Sequence, residues 1–377
     1  MRITGIKSFL AHPTYSKDSD IVIKKNMLLV KVETDEGIVG WGEANTMPDR
    51  ELCINQHIAS LSRYLLGKNP FHIKKFTEMV WHIFAERRGA VDLFCAMSGI
   101  EQALWDIVGK SLNTPVYNLL GGPLRDKIWV YGTGWTRGYK TPEDLAQRAV
   151  EVVKLGFTAI KFYPFMNDYE MKPAVENVRA VREAVGPNIE LLIDVHRRPE
   201  PLKAIRGAKM MEEFNLFWWE EPIPSENLDV MAEIRNSINL PVVTGECLYT
   251  KFDFREVLEK RAADILNPDI SSCGGILQLR EISTMAEPYH VLIAPHNYNS
   301  SSMSLAASLQ VCAVIPNFLI LEYAVHFSEL GDAIAMNPFK VEDGYIRLPT
   351  TPGLGLEINE EALRNYSFKE LPVREGY

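Results

Sequence analysis

Three acidic residues follow three apolar segments of the chain at equal intervals. Asp194 follows residues 189–193, Glu220 follows residues 216–219 and Glu246 follows residues 240–245, each 26 residues after the one before. That interval accommodates one strand, one helix and two loops, so the carboxylates would end successive parallel strands and could converge on one hard cation. Clustered anions repel one another unless a cation lies between them, and oxygen ligands favour magnesium or manganese over zinc. The spacing therefore predicts a site for magnesium or manganese.

Three further apolar segments continue the rhythm and end at Asp269, His296 and Glu322. Asp269 and His296 would end adjacent strands, where a carboxylate can fix the tautomer of an imidazole and raise its basicity. This pair predicts a dyad in which His296 is a general base. The alternative for His296 is a loop histidine bonded to nearby backbone.

Two more polar residues are expected to face the same cavity. Side chains alternate along a strand, so His196 would project to the same side as Asp194, which favours a catalytic role. Lys161 would end an earlier strand and suits binding of a substrate carboxylate or a proton transfer, with an ordinary ion pair as the alternative. Arg197 and Arg198 could bind an anion or form a salt-bridged loop pair.

Acidic residues make up 49 of the 377 positions, about one in eight, so a single carboxylate at a chosen position means little. The alternative for any one of these residues is an ion pair at the rim of the fold. A charged or imidazole group at the end of each of six successive strands is much harder to obtain by chance. Trp218 and Trp219 are expected to be packing residues, and Cys247 has no evident base that would make it a nucleophile.

The elements that must position these groups fall into two regions. Residues 1–43 alternate as a small antiparallel sheet, and helical periodicity follows over 49–66, 70–85 and 92–110. From residue 128 the pattern changes to eight strand–helix units, which predict a (β/α)-barrel with functional groups at the carboxyl ends of its strands. Residues 1–124 are therefore expected to form an N-terminal domain and residues 125–344 the barrel, with the tail, about 345–377, packing on the N-terminal domain.

Composition restricts the class of protein. The chain is 46% hydrophobic and 24% charged with a net charge of −9, which argues against nucleic-acid or anionic-membrane partners. The five cysteines lack a CxxC pairing and are expected to be reduced. No signal peptide or membrane-length apolar segment is recognisable, so we expect a cytoplasmic location.

Taken together, these motifs resemble the enolase superfamily, and within it the mandelate racemase/muconate lactonizing group, along essentially the whole chain. The matching segments are Trp41-Gly42-Glu43, residues 114–122 (TPVYNLLGG), Asp194, Glu220-Glu221-Pro222, Thr244-Gly245-Glu246, Asn267-Pro268-Asp269, Cys273-Gly274-Gly275, Pro295-His296 and Glu322. The resemblance implies an α/β fold, with a modified (β/α)7β TIM-like barrel under an α+β capping domain. It also implies Mg2+ on Asp194, Glu220 and Glu246, and abstraction of a proton next to a carboxylate.

Within that group the chain is similar to sugar-acid dehydratases of the galactonate dehydratase type, because Asp194 and His196 match their Asp-x-His and Glu322 matches their last-strand glutamate. The resemblance implies that His296, oriented by Asp269, takes the C2 proton and that His196 protonates the departing C3 hydroxyl. It implies further that Lys161 and Glu322 offset the charge of the enediolate. Substrate contacts are expected from Tyr163, Lys161 and His326, and a flap of residues 11–25, with residues 45–49, is expected to close over the polyol chain.

One departure separates the chain from mandelate racemase, whose Lys-x-Lys motif reads Lys161-Phe162-Tyr163 here. The leading expectation is therefore a Mg2+-dependent aldonate dehydratase, a homo-oligomer that acts on a small sugar acid. An epimerase, racemase or cycloisomerase of the same superfamily is the first alternative, with Tyr163 or Lys161 opposite His296. A sugar-acid-binding protein without catalytic activity is the second.

Overall fold

The N-terminal region of the computed structural model contains a three-stranded antiparallel sheet. The structure describes residues 1–12, 25–136, 138–165, 169–298, 300–325 and 328–370. The strands are β1 (Ile3–Ala11), β2 (Met27–Thr34) and β3 (Val39–Ala44), hydrogen-bonded in that order. They coincide with the alternating segments predicted from the sequence.

Four helices follow in this region: α1 (Glu51–Leu65), α2 (Ile73–Met79), α3 (Val91–Ser111) and α4 (Val116–Leu119). The single helix predicted over 70–85 is wrong in detail, because α2 begins at Ile73 and changes to a π-helical turn over Val80–Phe84. Helix α3 packs directly against β3 at a glycine contact, where a Cβ on Gly42 would overlap the carbonyl oxygen of Gly99. Close backbone approach is therefore the reason for glycine at that position.

Eight parallel strands in the described residues form the second sheet. They are β4 (Lys127–Thr133), β5 (Ala159–Phe162), β6 (Glu190–Asp194), β7 (Trp218–Glu220), β8 (Val242–Thr244), β9 (Ile265–Leu266), β10 (Leu292–Ile293) and β11 (Leu321–Ala324). Neighbours in sequence are neighbours in the sheet, and β11 returns to pair with β4. Backbone hydrogen bonds of 2.9 Å from Ile293 N to Asn317 O and from Leu319 N to Ile293 O join β10 to the chain that leads into β11. The predicted modified (β/α)7β barrel is confirmed.

Helices lie between and after these strands: α5 (Pro142–Lys154), α6 (Met171–Val185), α7 (Pro201–Met211), α8 (Leu228–Ser237), α9 (Thr250–Lys260), α10 (Ile276–Ala286), α11 (Ser302–Cys312) and α12 (Ser328–Ile334). Short 3-10 turns over Glu212–Phe214 and Glu287–Tyr289 extend α7 and α10. Helix α5 begins as its sequence predicts, with Pro142 in its first turn and the Thr141 hydroxyl accepting from Asp144 N. Across the described residues, no helix has both the length and the apolar character needed to cross a bilayer.

A layer of buried residues fills the interior of the barrel, and each of the eight strands contributes one residue from within it or directly beside it. These residues are Tyr131, Ala159, Leu192, Trp218, Val243, Ile265, Ala294 and Ile320. Because side chains alternate along a strand, the residue two positions further on points into the same interior, but at its carboxyl end. The packed layer therefore forms the floor of whatever site lies above it.

The C-terminal part of the chain returns to both regions. Strand β12 (Tyr345–Arg347) pairs antiparallel with β4, and α13 (Glu360–Leu363) follows. Lys31 of β2 forms an ion pair of 2.5 Å with Glu360, and Val116 N donates to Gly353 O at 2.9 Å. We retain the division after residue 124, with a tail associated with the N-terminal region, as a proposal.

Candidate active site

Five of the predicted site residues lie directly above the packed floor of the barrel. The residues that lie two positions after a floor residue include Lys161, Asp194, Glu220, His296 and Glu322. All five are buried at the same end of the barrel. Strand alternation explains why Lys161, Asp194, Glu220 and Glu322 share one interior, whereas His296 lies beyond the end of β10 and is joined to Asp269 by an isolated parallel bridge.

Glu246 reaches the site by a different route. Strand β8 ends at Thr244, and Gly245 follows with φ of 143°, which L side chains rarely adopt. This turn brings Glu246, three positions after the floor residue Val243, into the interior, where its N–H donates to Asn267 Oδ1 at 3.1 Å. Glycine is therefore needed at position 245, because its backbone conformation directs the Glu246 side chain into the interior.

The carboxylates of Asp194, Glu220 and Glu246 form one cluster. Each offers an oxygen, and the three oxygens lie within 4.8 Å of one another. Burial raises the pKa of Glu220 well above its usual range, and the charges of Asp194 and Glu246 add to that effect while Lys161 opposes it. An all-oxygen set whose members disfavour one another's ionisation matches the preference of Mg2+, so these residues could hold that ion.

Two positively charged side chains contact the carboxylate cluster. Lys161 Nζ lies 2.6 Å from Glu220 Oε1 and 3.0 Å from Glu322 Oε1, deep in the barrel. Arg197 Nη1 lies 2.5 Å from Glu246 Oε1 and 3.3 Å from Glu221 Oε2. Of the two alternatives considered for Arg197, the salt-bridged one is therefore what the structure contains.

His296 and Asp269 form the predicted pair at the ends of neighbouring strands. Nδ1 of His296 lies 2.7 Å from Oδ2 of Asp269, and the two residues also form an isolated parallel bridge. On the other side of the ring, Nε2 lies 3.2 Å from Glu246 Oε2 and 3.5 Å from Glu322 Oε2. Burial opposes a charge on the ring, but the three carboxylates outweigh it and raise the pKa of His296 to about 10.

His196 lies beside Asp194 and Tyr163 and lines the cavity. Its Nε2 is 2.8 Å from Asp194 Oδ2, and its ring stacks on Tyr163 with centroids 4.8 Å apart. Burial lowers the pKa of His196, but the charge of Asp194 outweighs this and the net shift is upward. The side chain is 44% exposed, so it can meet a molecule that enters the cavity.

His196 lies beside Asp194, but strand alternation, from which we predicted this, is not the reason. Strand β6 ends at Asp194, and His196 has φ of 53°, so the residue belongs to a turn and not to the strand. The turn is held by a 2.8 Å hydrogen bond from His196 N to Asp194 Oδ1. A side-chain acceptor, and not strand geometry, therefore brings the ring to the site.

A cavity of about 450 Å³ opens above these groups. Lys25, Asn45 and residues 46–48 of the N-terminal region line its outer side, while Tyr163 lines its wall. Lys25 is 5% exposed and donates to Asn45 Oδ1 at 2.6 Å. Most of the predicted flap, residues 13–24, and the predicted substrate-binding residue His326 lie outside the described residues. A larger cavity of about 990 Å³ at the other end of the barrel, near Arg261 and His290, contains none of the predicted site residues.

Sequence reasoning missed two residues that support the cluster. Asn267 links the Glu220 carboxylate to the backbone of Glu246, since its Nδ2 donates to Glu220 Oε1 at 3.0 Å and its Oδ1 accepts from Glu246 N. Trp218, expected only to pack, also donates its indole N–H to Glu220 Oε2 at 3.0 Å. Lys25, the last residue of the predicted flap, lines the cavity. Asn267 had a usable signal, because it is a polar residue at the end of an apolar strand.

Comparison with known protein families agrees with this architecture. Residues 144–362 match the model described as the enolase C-terminal domain-like family, and residues 14–121 match the N-terminal domain of mandelate racemase / muconate lactonizing enzyme. The chain belongs to the enolase superfamily, in its mandelate racemase/muconate lactonizing group.

Individual relatives extend over most of the chain. It is 35% identical over 353 residues to D-xylonate dehydratase of Haloferax volcanii, covering 89% of this chain and 84% of that protein. It is 33% identical over 373 residues to D-galactonate dehydratase of Pectobacterium atrosepticum, covering 96% and 93%. Among solved structures, a mandelate racemase/muconate lactonizing enzyme from Sulfitobacter sp. superimposes with a TM-score of 0.91 at 31% identity, covering 100% of this chain and 99% of that one.

Proposed function

We propose that this protein is a hydro-lyase that removes water from a sugar acid, an aldonate, to give a 2-keto-3-deoxy acid. The observation that carries the proposal is the placement of two histidines around one carboxylate cluster. His296 is bonded to Asp269 and His196 to Asp194, and both line the same cavity. Dehydration needs one base for the C2 proton and one acid for the C3 hydroxyl, and this arrangement offers one of each.

The three clustered carboxylates of Asp194, Glu220 and Glu246 would hold Mg2+. A divalent cation there would offset the second negative charge that develops on the substrate carboxylate and relieve the field of Glu246 that keeps His296 protonated. Lys161, held between Glu220 and Glu322, adds a fixed positive charge beside the same oxygens.

His296 acts first in this scheme. Its Nδ1–H is held by Asp269, which leaves Nε2 of the neutral ring to take the C2 proton. Removal of that proton leaves an enediolate. The charge of Asp194 favours the protonated form of His196, which then gives its proton to the C3 hydroxyl. The C3–O bond breaks, water leaves, and the remaining enol takes a proton at C3 to become the keto acid.

Lys161 and Tyr163 argue against the epimerase alternative. Two-base racemisation needs a second proton acceptor, but Glu220 and Glu322 outweigh the effect of burial and raise the pKa of Lys161 well above its ordinary value. Burial likewise raises the pKa of Tyr163. Both groups therefore hold their protons near neutral pH and are poor bases. We assign Tyr163 to the wall of the substrate cavity.

Product analysis tests the proposal. The purified protein is incubated with Mg2+ and D-xylonate, D-gluconate or D-galactonate, the acids named in its relatives, and 2-keto acid is trapped as the semicarbazone. We expect keto acid from at least one member of a wider aldonate and aldarate panel, and none with His296→Asn. Starting acid that returns with inverted C2 and no keto product would overturn dehydration in favour of epimerisation. Binding of an acid without either reaction would identify a binding protein.

Cytoplasmic location and homo-oligomeric assembly stay predictions of the sequence.

A further inference from the structure

The strands that carry the dyad are the shortest of the barrel strands in the described part of the chain. Strands β9 and β10 have two residues each, and Asp269 and His296 lie three positions beyond their ends. The parallel pairing continues past these strand ends as the isolated bridge between Asp269 and His296, with His296 N donating to Pro268 O at 3.2 Å, and the loops that follow hold the two residues further. The loops that carry them run on to the first residues of helices α10 and α11, so whatever fixes those helix ends also fixes the dyad.

Glu43 of β3 holds the beginning of α11. One carboxylate oxygen accepts from Ser301 N at 2.9 Å, and the other accepts from Ser301 Oγ at 2.6 Å and from Ser304 N at 3.0 Å. Glu43 is only 2% exposed, and burying a carboxylate is costly unless it is fully hydrogen-bonded. The free N–H groups at a helix start satisfy it and favour its charge.

Glu101 of α3 holds the beginning of α10 in the same manner. Its oxygens accept from Ile276 N at 2.8 Å and from Leu277 N at 3.0 Å. The approach is so close that a Cβ on Gly275 would overlap Glu101 Oε2. On the preceding turn of α3, the Ser98 hydroxyl accepts from Gly274 N at 3.0 Å. The glycines of the Cys273-Gly274-Gly275 segment therefore admit this contact.

The two attachments are connected to each other. Gln102 of α3 accepts from Glu43 N at 3.1 Å and donates to Ser271 Oγ at 3.2 Å. Ser271 Oγ in turn donates to Ser304 Oγ at 2.8 Å, which joins the loop after Asp269 to the start of α11. Ser271 N also donates to Asp269 Oδ1 at 2.8 Å. A continuous set of buried hydrogen bonds thus runs from the N-terminal region to the carboxylate of the dyad.

We propose that Glu43 and Glu101 are positioning residues for proton abstraction. From the N-terminal region they hold the loops of Asp269 and His296 against the carboxylate cluster of Asp194, Glu220 and Glu246. This inference rests on the proposed role of His296 as the base. It gives a function to the Trp41-Gly42-Glu43 and Cys273-Gly274-Gly275 segments that packing alone does not supply. The carboxylates do not touch the cavity, so their loss changes the alignment of the dyad and leaves the binding groups in place.

The test compares Glu43→Gln and Glu101→Gln with Asp106→Asn. Asp106 is a buried carboxylate of the same helix α3, but it accepts from Trp41 N and Leu354 N and pairs with Lys110, and none of these partners belongs to the described parts of the dyad loops. Each variant is measured with Mg2+ for its melting temperature, its KM and kcat, its Mg2+ affinity by calorimetry, and its exchange of the substrate C2 proton with D2O. We expect Glu43→Gln and Glu101→Gln to lose about tenfold or more in exchange rate and kcat, with KM and Mg2+ affinity retained. Asp106→Asn is expected to lose stability without losing exchange.

Several outcomes separate this inference from the proposed function. If the wild-type protein neither exchanges the C2 proton nor forms keto acid, the proposed function fails first. If wild-type exchange is present and all three variants retain it, or lose it in proportion to their melting temperatures, the positioning role is overturned. Should the glutamate variants not fold, Ser271→Ala removes one hydroxyl of the same set, and Ser308→Ala, whose hydroxyl has no partner among the described residues, is its control. Equal exchange in those two would also overturn the inference.

Discussion

Lys161 and Glu220 form a buried ion pair beneath the cavity, with Nζ 2.6 Å from Oε1. Lys161 extends from β5 and Glu220 from β7, with β6 between them. The buried ring of Tyr131 lies under the ammonium group, with its centroid 5.4 Å from Lys161 Nζ. An ion pair this deep costs desolvation energy, and a partner left alone would cost more. The pair fixes one carboxylate of the cluster while Glu220 keeps additional lone pairs for a metal ion.

Replacement of Glu220 by glutamine should weaken Mg2+ binding by about tenfold or more, because it removes one anionic ligand from an all-oxygen site. Calorimetric titration of Mg2+ into the purified variant measures this directly, and activity should fall with it. Since Glu220 lies above the packed floor and is not part of it, the circular dichroism spectrum should stay that of the wild type.

Asp106→Asn is the matched control for that measurement. Asp106 is equally buried, but its carboxylate accepts from Trp41 N and Leu354 N and is not part of the cluster. It should bind Mg2+ nearly as the wild type does. Equal Mg2+ affinity in Glu220→Gln and wild type would contradict the metal assignment.

The two histidines should separate in isotope exchange. His296→Asn should abolish exchange of the substrate C2 proton with D2O, since it removes the base, and should lower turnover by about 10² to 10⁴-fold. His196→Asn should lower dehydration to a similar degree and leave C2 exchange measurable, because its task follows proton abstraction. Proton NMR of recovered substrate and keto-acid assay of the product report the two steps separately.

His290→Asn serves as the control in this experiment, because His290 lies at the opposite end of the barrel. It should behave as wild type in both assays. Normal dehydration by His196→Asn would show that this histidine is not the acid, and normal C2 exchange by His296→Asn would show that the base lies elsewhere.

Strand alternation made much of this site predictable from sequence. Lys161, Asp194 and Glu220 each lie two positions after a buried floor residue, so a period of two is enough to place them in one interior. The same logic fails for Glu246, which depends on the unusual backbone of Gly245, and for His196, which depends on a turn held by Asp194. Backbone conformations at positive φ are set by tertiary contacts, which no periodicity records.

Contacts between distant segments were beyond sequence reasoning for a related reason. Glu43 lies 258 positions before its partner Ser301, and no periodicity of the sequence relates the two. Residue type alone predicts that a buried carboxylate needs donors, but it does not say which helix supplies them. The fold class, by contrast, can be predicted from the repeated strand–helix pattern, because it depends on contacts between units that are neighbours in the sequence.

Glu101 should make the stability of the protein depend on pH. Burial raises the pKa of its carboxyl to about 7 in the folded chain, against 4.5 for an ordinary glutamate, although three hydrogen-bond donors oppose the shift. The folded state therefore binds more protons than the unfolded state between these values, and the stabilising contribution is lost as pH rises from about 4.5 to about 7. This group alone should lower the free energy of unfolding by about 3 kcal/mol across that window.

Glu101→Gln removes the titration, so its melting temperature should fall less between pH 5 and pH 7.5 than that of the wild type. Glu281→Gln provides a control whose titration lies below this pH window, so its melting temperature should change between pH 5 and pH 7.5 as that of the wild type does. Burial opposes ionisation of Glu281, but Lys251 and Lys74 outweigh it and lower its pKa, so its contribution is present above about pH 4.5 and lost as pH falls. Identical pH dependence of melting in wild type and Glu101→Gln would show that Glu101 stays ionised throughout, held by the N–H groups of Ile276 and Leu277 that begin α10.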